Sequence, residues 1–216
     1  RNGGGMFGGT ATNCLLTYNT SGNNSSSGNG GGMYQGVAIN CLFTYNEASY
    51  TGSGGGMYQG TATRSIFRNN TALYGGGMYQ GTAINCLFTN NSNYGLKEST
   101  AMNCTLAYNS GYGISNGSAT NCIIWRNTEE LQVSYGTIVT YSCLTKTQSG
   151  TGNIVGQPSF INPTLGDFRL RADSPCIDTG TSSGAPLTDL AGTVRPNGFG
   201  MDMGAFEYVP YSVVVP

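Results

Sequence analysis

Histidine is absent, and charged side chains make up only 9% of the 216 residues. The first absence removes the commonest general acid–base group. With no CxxC pair either, the usual zinc-ligand sets are missing. The net charge of -1 gives no electrostatic footprint for nucleic acid or an anionic membrane. No apolar run is long enough to span a bilayer. Apolar residues at helical spacing are missing too, so no amphipathic helix is expected. Proline is withheld until Pro158, and all 7 prolines lie from there onward.

What is present is repetition. A block Gly-Gly-Gly-Met-aromatic occurs at Gly3 to Phe7, Gly30 to Tyr34, Gly54 to Tyr58 and Gly75 to Tyr79. Repeats of this length indicate a solenoid, in which one coil stacks on the next. Abundant glycine, serine and asparagine with low charge would otherwise suggest disorder. The evenly placed Met, Cys, Leu and Phe argue for a core instead.

Aligned on one slot, the coils carry Cys14, Cys41, Ser65, Cys86, Cys104 and Cys122, at steps of 27, 24, 21, 18 and 18 residues. The minimal coil is therefore about 18 residues. Insertions at one phase, Thr20 to Asn29, Glu47 to Ser53 and Thr71 to Tyr74, form a tapering ridge along one edge. Equivalent residues on stacked strands lie about 4.8 Å apart with parallel side chains, a poor geometry for disulfides. A column of buried thiols acting as small apolar fillers is expected.

Strand alternation puts Ile39, Cys41 and Phe43 inward and Asn40 and Leu42 outward. Asn19, Asn46, Asn70, Asn91, Asn109 and Asn127 follow each strand. They are expected to take left-handed corner angles and to bond one another along the axis. The triple glycines allow a tight corner and close approach of neighbouring coils. A phosphate loop is excluded for want of a following helix or a placed Lys.

Gly-Gly-Gly-Met-Tyr followed by Asn-Cys-x-Phe-x-x-Asn resembles the repeats of right-handed parallel β-helix proteins of bacterial surfaces, including polymorphic outer-membrane-type repeats. The later series Val139-Thr140-Tyr141-Ser142-Cys143, Gly166-Asp167-Phe168-Arg169-Leu170, Ser174-Pro175-Cys176-Ile177-Asp178 and Asp202-Met203-Gly204-Ala205-Phe206-Glu207 is similar to a choice-of-anchor Q module. The resemblance implies an all-β right-handed parallel β-helix with a C-terminal cap, and a secreted or surface-anchored bacterial protein. It implies no activity, because the fold hosts enzymes, adhesins and structural proteins.

The composition break near Ser149 divides the chain into helix repeats, 1–148, and a capping module packed on the last coil, 149–216. Asp178, Asp189, Asp202 and Glu207 are the candidates for a Ca²⁺ site; no other cofactor is expected. Turn capping, or pairing with Arg169, Arg171 and Arg195, is the plainer role. A hydrolase needs two carboxylates within about 9 Å. The repeats through Asn127 offer only Glu47 and Glu98, two to three coils apart, while Glu129 and Glu130 are adjacent and face opposite ways. No catalytic residue is therefore assigned.

Three surfaces are candidates for contact. Tyr34, Tyr58 and Tyr79 form an aromatic column suited to sugars or proteins. Leu15, Leu42, Ile66, Leu87 and Ile123 form an outward apolar row of the kind that marks an interface. Val213, Val214 and Val215 form a β-prone tail able to add to a sheet edge. The chain starts mid-coil, and an open coil end invites head-to-tail stacking. The expectation is a non-catalytic extracellular structural protein that self-associates into fibres, or an adhesin meeting surface glycan or protein. A polysaccharide-binding or polysaccharide-degrading protein is the alternative. No nucleic-acid partner is expected.

Overall fold

The structure, a computed structural model, describes residues 2–23, 25–49, 51–132 and 136–210. It is a right-handed parallel β-helix built almost wholly from short strands. One sheet has eleven strands, among them Met33–Ile39, Met57–Thr63 and Met78–Ile84. A second has eight, including Leu42–Thr44, Ile66–Arg68 and Leu87–Thr89. Registers are column to column: Met33 pairs Met57 and Met57 pairs Met78, while Phe67 lies between Phe43 and Phe88. The second sheet runs on to Ile154–Val155.

The coil owes its shape to a five-residue beat of left-handed backbone. Gly30, Gln35, Asn40 and Tyr45 have φ of 66°, 52°, 52° and 54°, and Gly54, Gln59, Arg64 and Asn69 repeat the series. Each such residue turns a corner, and four residues lie between one corner and the next. The side chain third after each corner points inward: Met33, Ala38 and Phe43, then Met57, Ala62 and Phe67, all of them buried. This corrects the alternation expected from sequence. Ala38, not Ile39, points inward, because the corner at Asn40 resets the phase before Cys41 and Phe43.

The core is correspondingly thin. One face presents methionines, giving way to Leu96 and Ile114. The next presents alanines, and the third presents phenylalanines followed by Leu106 and Ile124. Phe43, Phe67 and Phe88 stack at 4.5 and 4.7 Å with nearly parallel rings. Glycine is required where coils close in. A Cβ on Gly31 would sit 2.5 Å from the Gly55 carbonyl oxygen, and one on Gly32 would meet the Phe43 ring at 2.8 Å.

The cysteine slot is a column. The Cys41 amide donates to Ser65 Oγ at 3.1 Å, the Cys86 amide to Cys104 Sγ at 3.4 Å, and the Cys122 amide to Ser142 Oγ at 2.9 Å. None of the seven cysteines is in a disulfide. Cys41, Cys86, Cys104 and Cys122 are buried, whereas Cys14 is exposed. Burial raises the Cys86 and Cys122 thiols well above their ordinary range.

The reading of the asparagines that follow each strand, Asn19 to Asn127, is also corrected. These residues do not turn the corner; Tyr45, Asn69, Asn90 and Tyr108, one residue earlier, do. Asn46, Asn70, Asn91 and Asn109 point inward and are buried. Asn70 Nδ2 donates to Asn91 Oδ1 and to the Phe43 carbonyl, each at 3.0 Å. Asn70 Oδ1 accepts from the Asn46 amide and from Asn46 Nδ2, each at 3.0 Å. The pattern recurs from Asn19 to Asn127. The ridge insertions stack as well: Thr20–Asn23 pairs with Glu47–Ala48, and Ser53 bridges Tyr74.

Candidate functional site

Two flanks of the helix carry the residues singled out from sequence. On the first, Phe7, Tyr34, Tyr58 and Tyr79 stack at 5.1, 5.0 and 5.5 Å. Each tyrosine follows an inward methionine, so it must point outward, and the next residue is the corner glutamine. Gln35 Nε2 donates to Gln59 Oε1 at 2.9 Å, and Gln59 Nε2 to Gln80 Oε1 at 3.0 Å. Gln80 Nε2 then reaches Glu98 Oε2 at 2.9 Å. The Tyr79 hydroxyl donates to the same oxygen at 2.8 Å. Burial first, then the Glu98 hydrogen bond and charge, raise the Tyr79 pKa; burial raises that of Tyr58. Lys97 Nζ lies 5.5 Å from the Tyr74 ring centre and 5.0 Å from that of Tyr94.

The glutamine ladder, its Glu98 terminus and the Lys97 contact are not evident from the sequence. A glutamine follows Met-Tyr in three successive coils, and that spacing was the available signal. Because Tyr34 and Tyr58 lie nearly parallel to their neighbours, adjacent rings cover their faces. Their edges and hydroxyls remain for contact.

The second flank holds the apolar row, and much of that row is covered by the chain itself. Leu15 is 61% exposed, and Leu42 and Ile66 are half-buried. Leu87 and Ile123 are 5% and 1% exposed. The C-terminal segment lies over them, in one cluster with Trp125, Phe160, Phe168, Leu170 and Met203. The outward position of the row holds, but its exposure does not beyond Ile66.

The outer asparagines dock the segment, a role sequence did not disclose. Asn121 Nδ2 donates to the Thr181 carbonyl and Asn121 Oδ1 accepts from the Thr181 amide, each at 2.8 Å. Asn103 Nδ2 reaches the Asp202 carbonyl, and Asn85 Nδ2 the Thr188 carbonyl. The Ala205 amide donates to Thr105 Oγ1 at 3.0 Å.

Within the segment, Arg195 and Glu207 form a fully buried ion pair. Arg195 Nη2 also donates to the Gly204 carbonyl at 2.8 Å. The carboxylates proposed for Ca²⁺ hold backbone amides. Asp202 accepts from Asp178 and Tyr208, Asp189 from Thr193 and Glu207, and Asp178 from Gly200. Burial pushes the Asp202 carboxyl up to about 6. Among the described residues no group of three or more potential metal ligands converges. Arg169 pairs with Asp167 and Arg171 with Asp173. Val213, Val214 and Val215 lie outside the described residues.

The first flank can offer hydrogen bonds and aromatic edges at the strand spacing. Its carboxylate is engaged by Tyr79 and Gln80. Among the described residues no helix is long and apolar enough to cross a membrane.

Fold and columns thus define a parallel β-helix protein, a class that comparison with solved structures supports. The chain is similar to the crystal structure of pectate lyase Pel9A, with a TM-score of 0.60 and 15% sequence identity over 92% of this chain. It spans 59% of that chain's length. At this identity the likeness is one of fold. No protein-family model and no curated protein matches the chain.

Proposed function

We propose that the chain is a non-catalytic extracellular or cell-surface protein, structural or adhesive, with its tyrosine–glutamine flank as the contact surface. The observation that carries this reading is the ladder from Gln35 to Glu98 beside the stacked rings of Tyr34, Tyr58 and Tyr79. It repeats one donor–acceptor pattern along a straight edge. A partner with a repeating structure of its own, such as a surface glycan, a protein strand or a second copy of this chain, meets such an edge many times over. Each contact is weak and the sum is not. Nucleic acid is not among the partners proposed, given the net charge of -1.

The fold likeness to a pectate lyase favours polysaccharide as the first ligand to try, and supports degradation as a second reading. The test uses the full chain. Immobilised polysaccharides, polygalacturonate included, are assayed for binding, and the supernatant for reducing ends and unsaturated sugars. Electron microscopy of the same sample scores filaments. Retention without product, reduced in Tyr34→Ala and Tyr58→Ala, is expected. Release of product would overturn the non-catalytic reading.

A further inference from the structure

Cys143 and Cys176 stand apart from the cysteine column. The column slot in the coil of Cys143 is filled by Ser142, which accepts from the Cys122 amide. Cys143 is one residue on, in register with Ile123, so its side chain leaves the sheet on the outward, covered flank. Cys176 belongs to the C-terminal segment and comes from the opposite side. The two are buried in one apolar cluster, 1% and 0% exposed. We propose that Cys143 and Cys176 are a disulfide-forming pair that locks the C-terminal segment onto the helix.

Cys143 Sγ lies 3.7 Å from the Gly156 carbonyl oxygen, and a Cβ on Gly156 would meet Pro175, the chain neighbour of Cys176, at 3.6 Å, so the two cysteines approach across the seam between helix and segment, unlike the column. Cys86, Cys104 and Cys122 also touch as neighbours, but on adjacent parallel strands with side chains aimed the same way. The Cys86, Cys104 and Cys122 thiols donate to the Ile84, Met102 and Thr120 carbonyls. A disulfide needs opposed Cβ vectors and a Cβ separation near 3.8 Å. Strands about 4.8 Å apart do not provide this without distorting the ladder. Cys176 lies in a turn, where the backbone can adjust. The neighbouring Cys143 thiol, with burial, holds the Cys176 thiol well above the ordinary thiol range. Both residues are buried, so a soluble oxidant does not reach their sulfurs in the folded chain, and oxidation belongs to the stage before the segment has docked.

The oxidant is a small-molecule disulfide such as oxidised glutathione. A thiolate of one cysteine attacks it, forming a mixed disulfide and releasing one glutathione thiol. The second cysteine loses its proton and attacks the protein sulfur of that mixed disulfide, releasing the second glutathione thiol. Two protein S–H bonds and one S–S bond are consumed, and one protein S–S bond and two S–H bonds are formed.

The full chain is unfolded in urea with reductant, refolded in a glutathione redox buffer, alkylated under denaturing conditions and mapped by non-reducing mass spectrometry. One linked peptide joining Cys143 to Cys176 is expected, with Cys14, Cys41, Cys86, Cys104 and Cys122 alkylated. The thermal midpoint of the oxidised protein should exceed that of the reduced protein by roughly 5–15 °C, from the entropy of the closed loop. In Cys176→Ser both the linked peptide and the response to reductant should be lost. Full alkylation of all seven thiols overturns the proposal, as does a map whose principal bond joins any other pair.

Discussion

Replacing Asn70 by alanine tests the inward amide ladder directly. Asn70 is fully buried and takes part in two bonds through Nδ2 and two through Oδ1. The survivors are unequally served. Asn46 Nδ2 keeps the Leu16 carbonyl at 2.8 Å, and Asn91 Oδ1 keeps the residue 70 amide at 3.0 Å. The Asn46 backbone amide loses the side-chain oxygen it donates to. Each lost bond is worth about 0.5–1.5 kcal/mol net, and a stranded buried donor about 1–3 kcal/mol. Partial overlap of these terms gives a loss of about 3–5 kcal/mol. Urea unfolding at 25 °C measures the total, and hydrogen exchange at the Asn46 amide locates it, because coils of a solenoid can open locally. Asn70→Asp keeps the acceptor, removes both donations and buries a charge, so at pH 7 it should lose at least as much. A loss under 1 kcal/mol in Asn70→Ala, with the Asn46 amide still protected, would refute the ladder's role.

Other sites give independent outcomes. Arg64 holds φ 47° in a column where Asn13, Asn40 and Asn85 hold left-handed angles of 54°, 52° and 51°. Arg64→Asn should therefore raise stability by about 0.5–1 kcal/mol, read from the urea midpoint. Ala62 is fully buried between Ala38 and Ala83, so Ala62→Leu should overpack the coil and cost about 1–3 kcal/mol by the same measurement. The Asp202 carboxyl is raised from 3.8 to about 6. The folded state then holds a proton that the unfolded state has released, so stability should fall as pH rises from about 4 to about 6 and then level off. The decline is at most about 3 kcal/mol, and Asp202→Asn should remove this slope from the urea midpoint against pH.

Much of the architecture is legible in the sequence because a solenoid writes each column as a recurrence. Met33, Met57 and Met78, or Cys41, Ser65 and Cys86, can be aligned by eye, and the insertions fall at one phase. The direction of Ile39 is not legible from alternation. A corner every five residues breaks the period of two, and Gln35, Asn40 and Tyr45 share no residue type that would announce it. The two asparagine columns mislead for a related reason. Asn suits both a left-handed corner and a buried amide ladder, and only the backbone separates Asn40 from Asn46. The cover over Leu87 and Ile123 is a long-range fact. Nothing in their own coils records that residues after Pro158 return along that flank and fasten to Asn85, Asn103 and Asn121. On the other flank, Tyr34, Tyr58 and Tyr79 were readable as a row. The covering of ring faces by neighbours follows only from their geometry.

The most direct test of the account follows the alanine face. With alanine methyls labelled and assigned, through-space contacts should run unbroken from Ala11 to Ala38, Ala62, Ala83, Ala101 and Ala119, each one coil from the next. Side chains piled at one strand spacing, about 4.8 Å, predict a strong contact between immediate neighbours and a weak one between alternate members. A ladder that skips Ala62, or that joins Ala38 to Ala83 as strongly as to Ala62, would contradict it.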